Sequence, residues 1–178
     1  MKARLLPALA LLLLAAVTGS ALAQPAKPRD CVAEMGPLPQ KWEGTAFAID
    51  GDTLAGVGLK PHIRIWGIQA PELRDKDKQE TVAGMSARAT LAQLLATDAQ
   101  KVRCDPLKYD RYCRWVATCL VKVTDAGRYM IAHGMAYGFY LEDIVGGSTA
   151  LSLSYVEMEQ LARQEKRGLW PVWLGERR

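Results

Sequence analysis

The chain has 178 residues, 49% of them hydrophobic, and a formal net charge of +4. That length is one domain's worth, enough to bury a core without help from a metal or a partner. Residues 1–23 hold Lys2 and Arg4 and no acid, so without them the charge is 4 − 2 = +2, too weak to hold a polyanion except through locally placed arginines.

Lys2 and Arg4, the apolar run Leu5 to Val17 and the small residues Ala21-Leu22-Ala23 form the three parts of an export signal. Cleavage before Gln24 is expected rather than retention as an anchor, because the apolar run falls short of the roughly 20 residues a span needs. No later segment is apolar enough to cross a bilayer. Residues 24–41, with Pro25, Pro28, Pro37 and Pro39, are predicted as an extended leader into a domain that runs over 42–178.

From Gly44 the pattern turns to strands: Gly44 to Ile49, Thr53 to Leu59 and His62 to Trp66, punctuated by Gly51 and Lys60-Pro61. A charged loop, Leu73 to Val82, follows. Helical periodicity then predicts a helix from about Gly84 to Thr97, with Met85, Ala89, Leu91, Leu94 and Leu95 along one face. Two further strands, Lys101 to Cys104 and Arg114 to Val123, are predicted around a loop from Asp105 to Cys113. A short helix over about Arg128–His133 ends at Gly134 and leads into Met135 to Leu141. Gly146-Gly147-Ser148 reads as a connector, since no Gly-Lys-Ser/Thr accompanies it. The last predicted element is a helix from about Thr149 to Lys166, stopped by Gly168 before Leu169-Trp170.

In an oxidising compartment the four cysteines, Cys31, Cys104, Cys113 and Cys119, favour disulfides over metal binding. No Cys-x-x-Cys pair is present, and His62 and His133 are the only histidines. Of the three pairings, a bridge between Cys104 and Cys119 across the polar turn is favoured, which leaves Cys31 with Cys113.

Five strands with a helix after the third and a closing helix predict an α+β, mainly β, chain. Its natural candidate is a five-stranded oligonucleotide/oligosaccharide-binding (OB) barrel with about three helices. Within it, one stretch carries chemistry. Asp50-Gly51-Asp52-Thr53 and Ala70-Pro71-Glu72 are two clusters of acids separated by an alternating apolar run that brings Arg64 toward the second. That is what metal-assisted phosphodiester cleavage needs: carboxylates to share a cation and guanidinium groups to stabilise the charge gained by the phosphate.

These residues resemble the staphylococcal nuclease, or thermonuclease, family. Four blocks carry the likeness in order: Ile49-Asp50-Gly51-Asp52-Thr53, then Arg64 through Glu72, then Tyr109-Asp110-Arg111-Tyr112-Cys113-Arg114, and last Ala162-Arg163 with Gly168-Leu169-Trp170. The resemblance covers about residue 42 to the C-terminus. It implies calcium-dependent hydrolysis of DNA and RNA. Asp52 then matches the main carboxylate ligand, Ala70 a backbone-carbonyl ligand, Glu72 the general base, Arg64 and Arg114 the phosphate-binding arginines, and Tyr112 and Tyr140 the tyrosines near the nucleotide.

Two departures from the family pattern stand out. Gln69 lies where the family has a second carboxylate ligand, and it coordinates without charge. A lost unit charge near 4 Å is worth roughly 4 kcal/mol at an effective dielectric of 20, against about 1.4 kcal/mol for a tenfold affinity change. Asp50, Asp75 or Asp77 would have to compensate. Cys113 stands where the family commonly has glycine. The expectation is an exported, monomeric nuclease, periplasmic or secreted, that prefers single strands. The alternative, from Gln69, is an impaired barrel that binds nucleic acid or protein.

Overall fold

The computed structural model of the chain describes residues 29–141 and 149–175. The predicted export signal and the Gly146-Gly147-Ser148 connector lie outside them. In chain order the elements are α1 (Cys31–Met35), β1 (Trp42–Ala48), β2 (Thr53–Gly56), β3 (Ile63–Ile65), β4 (Ile68–Gln69), α2 (Val82–Ala96), β5 (Lys101–Tyr109), β6 (Trp115–Val121), β7 (Thr124–Asp125), α3 (Ala126–Ala132), β8 (Tyr137–Gly138), α4 (Thr149–Gln164) and α5 (Trp170–Trp173).

Strands β3-β2-β1-β5-β6 form an antiparallel run that closes on itself, because β3 also pairs with β6 in parallel, Ile63 opposite Trp115 and Ile65 opposite Ala117. The result is a closed five-stranded OB-type barrel, as the order of elements predicted. β6 shows why the ring has an inside: Trp115, Ala117, Cys119 and Val121 are buried and alternate with half-buried residues. β7 extends the sheet beyond β6, and β4 pairs with β8 in a separate ribbon.

Leu54, Ile63, Ile65, Leu91, Leu95, Met130 and Ile131 make one core between barrel and helices. Tyr155 of α4 is fully buried in it, and its hydroxyl donates to Asp125 at 2.6 Å. Burial, then the neighbouring Asp125 charge, push that hydroxyl far above its ordinary range. Asp125 also accepts from the Arg128 N–H at 2.7 Å, so one carboxylate caps α3 and anchors α4. Gly127 makes the approach possible, since a Cβ there would stand 2.1 Å from the Tyr155 hydroxyl.

The structure differs from the sequence expectation in several places. β2 stops at Gly56 rather than Leu59, because Gly58 at φ 72° turns the chain and the Leu59 N–H bonds back to Gly56. β5 runs on to Tyr109 instead of ending at Cys104. Asp105-Pro106 reads as a turn, yet Pro106 lies past the last pair with β1, where no partner needs its missing N–H, and a bulge between Pro106 and Lys108 absorbs the irregularity. Among the described residues the three expected helices are joined by two more, α1 and α5, both short. α1 falls inside the stretch read as an extended leader, where Asp30 caps it by accepting from the Ala33 N–H. Both favoured disulfides form: Cys104–Cys119 between directly opposed residues of β5 and β6, and Cys31–Cys113 across 82 residues. No helix among the described residues is long and apolar enough to cross a membrane.

Candidate active site

The turn between β1 and β2 carries Asp50 and Asp52. Asp50 folds it by accepting from the Asp52 N–H at 2.9 Å, an Asx turn. Gly51 lets it lie flat, since a Cβ there would sit 2.6 Å from the methyls of both Ala70 and Ala87. Small side chains therefore bring the two acidic clusters together. Asp52 is 6% exposed, accepts from the Ala70 N–H at 2.8 Å and the Thr53 hydroxyl at 3.1 Å, and pairs with Arg64 at 3.2 Å. Burial dominates, and the Asp52 carboxyl is pushed up to about 6 even though Arg64 opposes the shift.

Arg64 leaves β3 into the same pocket. Its guanidinium donates to the carbonyls of Ile65 at 2.9 Å and Ile68 at 2.7 Å and to Gln69 Oε1 at 3.0 Å. Burial pulls its pKa down, and the Asp52 charge holds it back. The Gln69 amide in turn donates to the Ala70 carbonyl at 3.0 Å. Asp52, Gln69 and Ala70, the residues that the resemblance assigns to a metal, thus converge, and their oxygens suit a hard cation in kind. All three are already engaged, by Arg64 or by the Gln69 amide. Among the described residues no three His, Cys, Asp or Glu side chains group as a metal set; of the acids named as substitutes for the missing charge, Asp50 lines the groove with Asp52, and Asp75 and Asp77 are not among its lining residues.

Glu72 is exposed, and its backbone is clamped. The Thr81 hydroxyl donates to the Glu72 carbonyl at 2.7 Å while accepting from the Gly84 N–H at 2.9 Å, so one side chain caps α2 and positions the Glu72 segment. A Cβ on Gly84 would fall 2.3 Å from that carbonyl and 2.5 Å from the Leu73 Cα.

The second arginine is held differently. In the turn between β5 and β6, Asp110 accepts from the N–H groups of Tyr112 at 2.9 Å and Arg114 at 3.0 Å and from Arg114 Nε at 2.7 Å. Arg114 also reaches the Thr53 hydroxyl at 3.4 Å and lies 5.5 Å from the Tyr112 ring centroid. Cys113 adopts φ 61°, left-handed backbone that its missing family glycine would take without cost, and its disulfide to Cys31 retains it there. α1 thereby becomes a buttress of this loop: Arg29 donates to the Tyr112 carbonyl at 3.4 Å, and the Tyr109 hydroxyl donates to the Gly36 carbonyl at 2.9 Å.

Asp52, Arg64, Gln69, Glu72, Tyr112, Arg114 and Tyr140 line one groove of about 760 Å³. Ala70 is buried beneath it. Tyr112 and Tyr140 are 55% and 62% exposed, and Tyr140 is itself at φ 52°. The sequence reading took Gly51 only as a strand-ending turn and assigned no role to Thr81 or Asp110, nor to Gly84 beyond the start of a helix. Asp110 alone left a trace there, an aspartate two and four residues ahead of the N–H groups it binds.

A closed OB-type barrel whose groove joins a buried carboxylate–arginine pair to an exposed glutamate and a second, aromatic-flanked arginine defines a class of anion-handling barrels. Within that class the chain belongs to the staphylococcal nuclease family: the staphylococcal nuclease homologue model matches residues 62–172. The chain is 32% identical over 122 residues to a probable endonuclease LCL3 of Paracoccidioides brasiliensis (strain Pb03), a match covering 64% of this chain and 35% of that protein. The corresponding protein of Paracoccidioides lutzii matches at 32% over 64% of this chain and 34% of its own length. The chain thus spans about a third of the relatives it matches.

Proposed function

We propose that the protein is an exported nuclease that hydrolyses phosphodiester bonds of DNA or RNA as a monomer, favouring single strands. The convergence of Arg64, Glu72 and Arg114 on one groove carries this reading. Arg114, held by Asp110 through its backbone and Nε and touching the Thr53 hydroxyl through Nη1, keeps Nη2 for a phosphate. Arg64 supplies a second, always-protonated group at the floor. Glu72, with its carboxylate in the open groove, takes a proton from an attacking water as the phosphate gains charge. Tyr112 and Tyr140 offer ring faces to bases that a single strand can splay out. When bound by Asp52, the Gln69 amide oxygen and the Ala70 carbonyl, a calcium ion would supply Lewis-acid charge to a phosphate oxygen. The two disulfides and the export-type N-terminal sequence support a periplasmic or secreted protein.

One observation favours a second reading. The metal-facing oxygens are satisfied internally by Arg64 and the Gln69 amide, which suits a barrel that binds nucleic acid without cutting it. Digestion of denatured DNA with calcium, with manganese or magnesium, and with chelator decides between them. The nuclease reading expects divalent-dependent cutting that Glu72→Gln abolishes. Cutting only by Gln69→Asp overturns it in favour of a binding module.

A further inference from the structure

The catalytic groove does not end at Glu72. A hollow of about 470 Å³ adjoins it, lined by Ala70, Pro71, Tyr137 and Trp173 together with Gln69, Glu72 and Phe139, which line the groove as well. Backbone pairing builds the junction. Gln69 of β4 is directly opposite Tyr137 of β8, so the two side chains share a face of the ribbon, and Phe139, two residues on, follows on that face with its N–H bonded to the Gly67 carbonyl at 2.9 Å. Tyr137 and Phe139 are each 38% exposed. Trp173 meets Tyr137 edge-on, centroids 5.8 Å apart and planes at 88°, and meets Trp170 the same way at 5.0 Å. An edge-on contact leaves a ring face free.

We infer that Tyr137, Phe139 and Trp173 form a stacking shelf for nucleobases of a single strand that runs on from the phosphate at Glu72. The inference rests on the nucleic-acid reading of the groove and deepens it. Three features select a base over other occupants. The hollow is continuous with the groove, so a strand whose phosphate lies between Arg64 and Arg114 has its neighbouring nucleotide within reach of it. No lysine or arginine is among its lining residues, and Glu72 is the one charged group, so it does not hold a phosphate. Exposed ring faces take any base, because every base has a π-face.

The probe is a fluorescein-labelled oligothymidylate of about ten residues, within the site size of an OB barrel, titrated into the full-length Glu72→Gln chain so that it stays uncut. Replacing Tyr137 and Trp173 by alanine in that background is expected to raise the Kd about tenfold, the factor for one lost base stack. Trp173→Phe keeps a ring and restores most of the affinity. Tyr137→Ala alone, which leaves the Trp170–Trp173 contact in place, raises the Kd about threefold, half of the tenfold loss on the free-energy scale. Abasic positions scanned along the probe should find one or two that cost the parent chain a similar factor and cost the doubly substituted chain nothing. An unchanged Kd, or an abasic pattern identical in both chains, overturns the shelf. Wild-type digestion of denatured DNA is run beside it. Digestion without the abasic pattern removes the shelf alone, and the pattern without digestion removes the nuclease reading alone.

Discussion

The two arginines of the groove are held by opposite strategies. Arg64 is built into the barrel: its side chain is 12% exposed, its partner Asp52 8%, and its two terminal nitrogens bind backbone carbonyls, a carboxylate and an amide. Arg114 stands on a surface turn, 28% exposed beside an Asp110 that is 18% exposed, and is kept in place by backbone hydrogen bonds, a left-handed cysteine and a disulfide to α1. The difference teaches that one half of the site depends on the fold's stability and the other on local pins. The first half cannot be altered without disturbing the core. The second can be loosened while the barrel stands.

The largest expected effect comes from cutting the pin. Replacing Cys31 and Cys113 by serine releases a loop of 82 residues, which in the chain-entropy account costs about 4 kcal/mol of stability. Chemical denaturation measures the loss. Oligonucleotide affinity should weaken as well, and unchanged affinity would show that the turn holds Arg114 unaided. Arg64→Ala comes next, at about 3 kcal/mol, because it strands a buried carboxylate. Arg114→Ala should cost under about 1 kcal/mol, since its ion pair is partly solvated. Equal costs for the two would break the comparison.

Asp52 sharpens it through pH. Its folded pKa is raised, from 3.8 to about 6, so the folded state binds the proton more tightly than the unfolded one. The associated stability is complete below the unfolded value and is lost as pH rises through about 6. With 1.36 kcal/mol per unit, the loss is up to about 3 kcal/mol. The difference in denaturation free energy between wild type and Asp52→Asn, followed in chelator from pH 4 to 7, should show this slope. A difference that grows in the opposite direction refutes the burial account. Gly84→Ala tests the clamp on Glu72. Overpacking against the Glu72 and Leu73 backbone costs about 1–2 kcal/mol, and by displacing Glu72 it should lower turnover more than substrate affinity.

Asp52, Arg64 and Glu72 were legible as neighbours in one groove because their motifs lie within a meander whose alternation is strong, so their position could be read locally. Gln69 was legible as a departure, but not its engagement with Arg64 and Ala70, which depends on where a guanidinium folds back. Tyr137 and Phe139 alternate in the manner of a strand face, yet nothing local says that the face opens beside Glu72, since the pairing of β4 with β8 joins residues far apart in sequence. Pro106 misled because proline in a strand is tolerated only where the neighbour has ended, and the end of β1 alongside β5 is a matter of register.

By itself, then, the sequence determined most of the barrel's strands, its main helices and the family, because alternation, helical spacing and motif order are properties of neighbours along the chain; it favoured the disulfide pairing that forms without deciding it. Only the tertiary structure decided that one arginine is buried and the other tethered, that α1 braces the Arg114 turn, and that glycines at 51 and 84 let backbones close on the acidic residues. Those are contacts between distant segments, and their strength depends on burial, which no single segment possesses before the chain folds.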